Sequence, residues 1–335
     1  MTKTAVIGTG YWGKNLVRVF YRLPGSELKY ICDADSRNLE AVGKNYPGVK
    51  LTGDYREVLA DREVEALAIA TPAVSHYELA RESLQAGKHT FVEKPLTLEV
   101  GHAEKLVELA VKADRLLMTG HLMVYHPAVE VLKQMVDSDE LGRVYYIYAQ
   151  RVNLGVVRRD ENALWSLAPH DISIVLYLLG RTPVEVAARG GCYIRKEIED
   201  VVFLVMRFAG GEMAHVQLSW LDPHKERKIT MVGSRKMVVF DDMQASEKIK
   251  VFDKGVNPSN EYSSYTELLG LREGDILIPQ LKMEEPLGVE CSTFLACAAG
   301  QGPCRSSGQD GLAVVRVLDA AGRSLADGGK PVKIT

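Results

Sequence analysis

The sequence predicts an α/β fold: a doubly wound parallel sheet, then a second domain of α+β type built on an antiparallel sheet. Two observations carry this. The first 120 residues alternate short apolar strands with amphipathic helical patterns, as βαβ units do. After about residue 121, longer strands follow one another directly, joined by turns such as Gly210-Gly211. The length of 335 residues fits two domains, expected over 1–121 and 122–335.

Thr4–Ile7 reads as the first strand. Trp12, Leu16, Val19, Phe20 and Leu23 then recur at helical spacing, and Pro24-Gly25 ends the pattern. Leu28–Cys32, Ala66–Ala70, His89–Val92 and Leu116–Thr119 read as further strands, with helices over Ser75–Ala86 and Leu98–Ala113. In the second half, strands are expected over Val144–Val152, Val184–Gly191, Val201–Phe208, Met213–Trp220, Lys228–Gly233 and Met237–Phe240. Helices are expected over Trp165–Leu179, Glu285–Ala299 and Gln309–Ala326. Asn257–Glu285, mixed in Ser, Asn and charge, reads as a long loop.

Composition excludes several classes. With 46% hydrophobic and 25% charged residues, the chain is neither disordered, collagen-like nor a coiled coil. Lys and Arg (41) nearly balance Asp and Glu (44), so no basic field draws nucleic acid or anionic membrane. No apolar stretch approaches the roughly 18 residues of a membrane span. The apolar run after Met1-Thr2-Lys3-Thr4 is broken at Gly8 and Gly10, unlike a signal peptide. The five cysteines are odd in number and lack CxxC spacing, so neither a zinc site nor a disulfide framework is expected. Reduced, mostly buried thiols in a cytoplasmic protein are the reading.

Gly8-Thr9-Gly10-Tyr11-Trp12-Gly13 matches GxGxxG between a strand and an amphipathic helix. Gly8 suits the tight turn, Gly10 lets backbone approach a pyrophosphate, and Gly13 permits close helix–strand packing. The helix N-terminus offers amides and partial positive charge to phosphates. Asp33 ends the next strand, twenty residues beyond Gly13, where a carboxylate binds the adenosine ribose. A carboxylate there repels a 2′-phosphate, so NAD is expected rather than NADP, although Arg37 lies close enough to pair with a phosphate.

Ligands of doubly wound sheets collect at the carboxyl ends of the strands. Three such ends carry polar or special residues: Thr71-Pro72 with His76 following, Glu93-Lys94-Pro95, and Gly120-His121. A lysine desolvated in such a site can serve as acid or base for an alcohol proton. On spacing alone, Lys94 also reads as a surface lysine paired with Glu93.

Together these residues resemble the Gfo/Idh/MocA oxidoreductases. The resemblance covers essentially the whole chain. It rests on the glycine motif, on Ala70-Thr71-Pro72 followed by His76, on Glu93-Lys94-Pro95-Leu96, and on Pro169-His170-Asp171. It implies an N-terminal Rossmann domain and a C-terminal domain with a large, open, mostly antiparallel sheet. That sheet commonly forms the oligomer interface, which implies a homodimer or homotetramer. Lys94 is implied as the catalytic lysine, also touching the nicotinamide ribose, and His170 as facing the substrate. Thr71, Pro72, His76 and Glu93 are counted with the cofactor site. Many members carry an acid four residues before this histidine; Ser166 stands there here, which leaves Lys94 the stronger candidate. From the residues alone, His170 opens an apolar helix, where an imidazole is held neutral, and reads equally as a capping or core histidine.

Asn153, Arg158, Arg159, Asn162 and Trp165 lie between the first strand of the second domain and the His170 helix. Arginines there suit a diphosphate, asparagines suit sugar hydroxyls, and Trp165 suits stacking on a ring. A solvated charged loop with Trp165 in the core is the other reading. Tyr125 and His126 are further substrate candidates. No metal is expected, since His121 and His126, five apart, would not share a helix face. These details resemble the family's nucleotide-sugar branch, which acts on UDP- or dTDP-linked sugars in surface polysaccharide synthesis. The expected function is hydride transfer between a sugar ring carbon and NAD. A free sugar or inositol-type dehydrogenase, and a non-catalytic dinucleotide-binding regulator, stand as alternatives.

Overall fold

The computed structural model describes residues 1–155, 157–159, 161–257 and 270–334. Contacts divide the chain into two compact units: Met1–His126 with Glu284–Arg316, and Pro127–Met283 with Val317–Thr335.

The first unit begins with β1 (Thr2–Ile7), α1 (Gly13–Arg22), β2 (Ser26–Cys32), α2 (Ser36–Gly43), β3 (Lys50–Thr52) and α3 (Tyr55–Ala60). It continues with β4 (Ala66–Ile69), α4 (His76–Gln85), β5 (His89–Glu93), α5 (Val100–Ala113) and β6 (Leu117–Gly120). The six strands form one parallel sheet in the order β3-β2-β1-β4-β5-β6. The strand order reverses between β1 and β4, which opens a crevice above their carboxyl ends. Ala5, Val6, Ile7 and all of β4 are buried, as expected for strands covered on both faces. On α1, Leu16, Val17, Val19 and Phe20 form the buried stripe. β3 is an addition to the five strands expected here. It has only three residues, two of them exposed, so it carries no apolar run.

The second unit holds α6 (Pro127–Asp137), β7 (Val144–Val152), α7 (Ala163–Leu179), β8 (Glu185–Gly191), β9 (Val201–Arg207), β10 (Met213–Ser219), β11 (Glu226–Gly233), β12 (Met237–Asp241), β13 (Ile249–Asn257) and β14 (Gly270–Leu277). After α8 (Pro286–Ala298), the chain ends in α9 (Gly308–Ala326) and β15 (Val332–Lys333). The nine-stranded sheet runs β14-β13-β12-β11-β7-β10-β9-β8-β15. Its pairs are antiparallel except β7 with β10, which run parallel. α7 packs on β7, β9 and β10 and covers one face. β14 corrects the expectation of a long loop over Asn257–Glu285: Gly270–Leu277 pairs with β13. The stretch 258–269 lies outside the described residues.

The return of Glu284–Arg316 completes the first unit's core. Phe294 of α8 meets Phe20 at 6.3 Å and Phe91 at 5.8 Å, both edge-on. Leu312 and Val315 of α9 join the buried cluster around Leu96 and Leu117. All five cysteines are free thiols; Cys32 and Cys291 are buried, Cys297 and Cys304 half-buried, and Cys192 exposed.

Candidate active site

The glycine motif forms the turn from β1 into α1. Gly8 has φ +92°, and a Cβ there would come within 2.7 Å of the Ala70 carbonyl group. A Cβ on Gly13 would stand 1.9 Å from the Gly8 carbonyl oxygen, so α1 sits directly on the turn. A Cβ on Gly10 would meet nothing within 4 Å, and Tyr11 is exposed, which leaves the turn's outer face open. Asp33 reaches back to this turn. Its Oδ2 accepts from the Thr9 amide at 2.6 Å and the Thr9 hydroxyl at 2.7 Å, and Oδ1 accepts from the Asp35 amide at 2.8 Å. Arg37, almost fully exposed, is engaged with Asp35 at 2.8 Å. Open backbone above glycines, beside a carboxylate and a helix N-terminus, fits a dinucleotide pyrophosphate and ribose.

The ends of β4 and β5 are clipped together by His76. It is buried, with Nδ1 2.8 Å from the Pro95 carbonyl oxygen and Nε2 2.9 Å from that of Thr71. A neutral ring donates to only one of them. Burial, seconded by the charge of Lys94, pulls the imidazole below its ordinary value against the pull of the two carbonyls. Pro72 is exposed and Thr71 half-buried, with the Thr71 hydroxyl accepting from Ser75 at 2.7 Å.

Lys94 follows β5 and is half-buried, beside Glu93. Glu93 Oε1 accepts from the Trp12 indole at 2.5 Å, and Oε2 accepts from the Lys94 amide at 3.3 Å. Burial pushes the Glu93 carboxyl up to about 7, against the opposing pulls of Trp12 and Lys94. His121 follows β6, buried, with no partner for either ring nitrogen. Burial and the Lys94 charge push it down to about 3, so it is neutral. Tyr125 is buried, its hydroxyl 3.0 Å from the Ser306 hydroxyl, and burial raises its phenol strongly. His126 is buried as well. This unit thus gathers Trp12, Glu93, Lys94, His76 and His121 around the strand ends.

In the second unit, α7 begins at Ala163, so His170 lies in its middle, not at its start. The helix-N-terminus account of a neutral His170 therefore does not apply. The cap is Asn162, whose Oδ1 accepts from the Trp165 amide at 3.1 Å while its Nδ2 donates to Glu199 at 2.7 Å. The helix expected over Trp165–Leu179 already contains His170; the N-terminal reading of His170 came from Pro169, a helix breaker in the interior that looks like a first-turn residue. His170 is half-buried, and so are Asn153 and Trp165. Asp171 is buried and bound to Arg151 of β7 by two bonds, 2.6 and 3.0 Å. Arg158 is exposed and pairs with Glu161 at 3.0 Å; Arg159 is exposed. Among the described residues, no group of three or more His, Cys, Asp or Glu suits a metal.

Residues 2–121 match the model of an oxidoreductase family with an NAD-binding Rossmann fold. Residues 129–239 match the GFO/IDH/MocA C-terminal domain. The chain is 26% identical to UDP-N-acetylglucosamine 3-dehydrogenase of Acidithiobacillus ferrooxidans, over 95% of both proteins. It is 23% identical to myo-inositol 2-dehydrogenase of Thermotoga maritima, over 97% of the chain and 96% of that protein. The crystal structure of an oxidoreductase from Magnetospirillum magnetotacticum superimposes with a TM-score of 0.81 at 30% identity, over 96% of this chain and 99% of that one. The chain therefore belongs to the Gfo/Idh/MocA oxidoreductases, and its first unit carries that family's NAD-binding Rossmann fold.

Proposed function

We propose that the protein is a dehydrogenase of a secondary alcohol on a sugar ring, with a UDP- or dTDP-linked sugar of surface polysaccharide synthesis as substrate. The observation that carries this is Lys94 at the end of β5, set beside Glu93, Trp12 and neutral His121. NAD, when bound, supplies the hydride acceptor. Gly8, Gly10, Tyr11, Trp12 and Gly13 would hold its pyrophosphate, Asp33 its adenosine ribose, and Thr71, Pro72, His76, Glu93 and Lys94 its nicotinamide end. Asp33 and the Arg37–Asp35 pair favour the unphosphorylated ribose. Lys94, as the free amine, takes the hydroxyl proton while the carbon becomes a carbonyl. His170, Asn153, Arg158, Trp165, Tyr125 and His126 are the proposed substrate residues.

Likeness to the UDP-N-acetylglucosamine enzyme over nearly its full length supports the nucleotide-sugar substrate. A free-polyol dehydrogenase is the second reading, favoured by Arg158 being engaged with Glu161. A panel of UDP- and dTDP-sugars and inositols, followed at the NADH absorbance band, separates the two. Turnover of the nucleotide sugars is expected; turnover of free polyols alone would overturn the first reading.

We infer a homodimer or homotetramer through the nine-stranded sheet. The face away from α7 carries Tyr146, Tyr148, Phe203, Val205, Met213 and His215 on neighbouring strands. Tyr146, Phe203 and Met213 are exposed. A cytoplasmic setting is proposed as well, supported by five free thiols. No helix among the described residues is long and apolar enough to cross a membrane.

A further inference from the structure

Trp12 stands in the glycine turn immediately before α1. Its backbone belongs to the first helical turn, where its carbonyl accepts from the Asn15 amide at 2.8 Å. Its side chain makes no cap bond to the helix. The half-buried indole instead crosses the carboxyl end of β4 to β5, two strands from β1 in the sheet, and donates to Glu93 Oε1 at 2.5 Å. Neighbouring strands lie about 4.8 Å apart, so the two side chains together bridge about 10 Å of strand ends. An indole N–H can only donate, so the bond favours Glu93 as an anion.

Two further contacts fix Glu93. Its Oε2 accepts from the Lys94 amide at 3.3 Å. Glu93 also pairs in register with Gly120 of β6, and a Cβ on Gly120 would come within 3.0 Å of the Glu93 carboxyl group. β6 thus walls the carboxylate on the side away from Trp12. One residue beyond Lys94, the Pro95 carbonyl oxygen meets the His76 ring at 2.8 Å. The backbone that carries Lys94 is therefore flanked by Glu93 on one side and His76 on the other.

We propose that Trp12 is a positioning residue: acting through Glu93, its indole N–H fixes Lys94, so that the turn that takes the dinucleotide pyrophosphate also sets the proton acceptor. The inference rests on the proton-accepting role given to Lys94 above. With the bond in place, Glu93 is an anion of fixed direction, which orients the lysine. Without it, the carboxylate loses a charge-assisted hydrogen bond and the lysine loses its fixed neighbour. Pyrophosphate contacts run through the amides of the turn, which the indole N–H leaves alone, so cofactor affinity and Lys94 placement are separable. On α8, burial holds Glu290 and Cys291 un-ionised, and His121 after β6 is neutral, so Lys94 is the charge that Glu93 answers to.

The test removes the donor and keeps an aromatic ring: Trp12→Phe. Its kcat should fall about tenfold to 100-fold, the scale of a misplaced reacting group. The Kd for NAD by titration calorimetry should stay within about twofold. In the cofactor-free protein, the Glu93 carboxyl band in infrared difference spectra against E93Q should titrate about one unit higher in W12F than in the wild type. A double-mutant cycle decides whether the effect runs through Glu93: in an E93Q background, W12F should cost less than about threefold in kcat. A W12F enzyme with wild-type kcat and an unmoved Glu93 midpoint overturns the proposal. So does an equal kcat loss in both backgrounds, which marks a purely structural indole. If W12F does not fold, Gly120→Ala takes its place, since its methyl displaces the same carboxylate from the β6 side. Wild-type kcat and midpoint in G120A then overturn the proposal. Lys94→Ala separates the two readings. If K94A turns over normally, the Lys94 role falls; if K94A is inactive while W12F is unaffected, only the Trp12 inference falls.

Discussion

At the scale of single residues, Lys94 carries the sharpest expectation. Lys94→Ala should lower kcat by about 10²- to 10⁴-fold, the usual weight of a positioned acid–base group. NAD binding by titration calorimetry should change little. Reduction of NAD at the wild-type rate would refute the role. Glu93 gives a pH signature with a definite sign. Its carboxyl titrates near 7 in the folded protein against an ordinary 4.5. The folded state therefore holds this proton more tightly, and stability is lost as pH rises through that window. Glu93→Gln does not titrate, so the Tm of E93Q relative to the wild type should rise between pH 5 and pH 8. A constant difference would show that Glu93 ionises normally. Asp171 tests a different kind of buried group. Asp171→Ala strands the Arg151 guanidinium in the core and should cost about 3–5 kcal/mol in denaturant unfolding. A loss below 1 kcal/mol would mean that water reaches Arg151.

At the scale of elements, the glycine turn is the least forgiving. Gly13→Ala drives a methyl into the Gly8 carbonyl and should cost about 1–3 kcal/mol, with weaker NAD binding. Unchanged melting would mean α1 can slide off the turn. Five of the six parallel strands were readable because burial on both faces makes them short apolar runs, as at Ala66–Ile69, whereas β3 has two exposed residues of three. The glycine turn and the Glu93-Lys94-Pro95 strand end were readable because each needs particular residue types. β14 was hidden because Glu273, Asp275, Ile276 and Leu277 are all exposed, so its sequence has no inner face to alternate against. The span of α7 was readable to within two residues, Trp165–Leu179 against Ala163–Leu179, but Pro169, whose usual place is a first turn, made His170 look like the opening of the helix.

At the scale of the whole molecule, the exposed sheet face is the place to test assembly. Phe203→Asp together with Met213→Asp should shift sedimentation to the monomer while leaving the circular dichroism spectrum unchanged. Assembly that survives both changes would rule that face out. The return of Glu284–Arg316 to the first unit has its own bearing on how the protein is made. A ribosome releases the nucleotide-binding strands long before the segment that seals them. Through that interval Phe20 and Phe91 lack the Phe294 ring, and Leu96 and Leu117 lack α9. The nascent chain must carry an unsealed apolar seam until most of the polypeptide has emerged, which makes it a natural client for holding chaperones. A gene cut after His126 should accordingly give an aggregating product, and grafting 284–316 back through a flexible linker should restore a soluble, NAD-binding one.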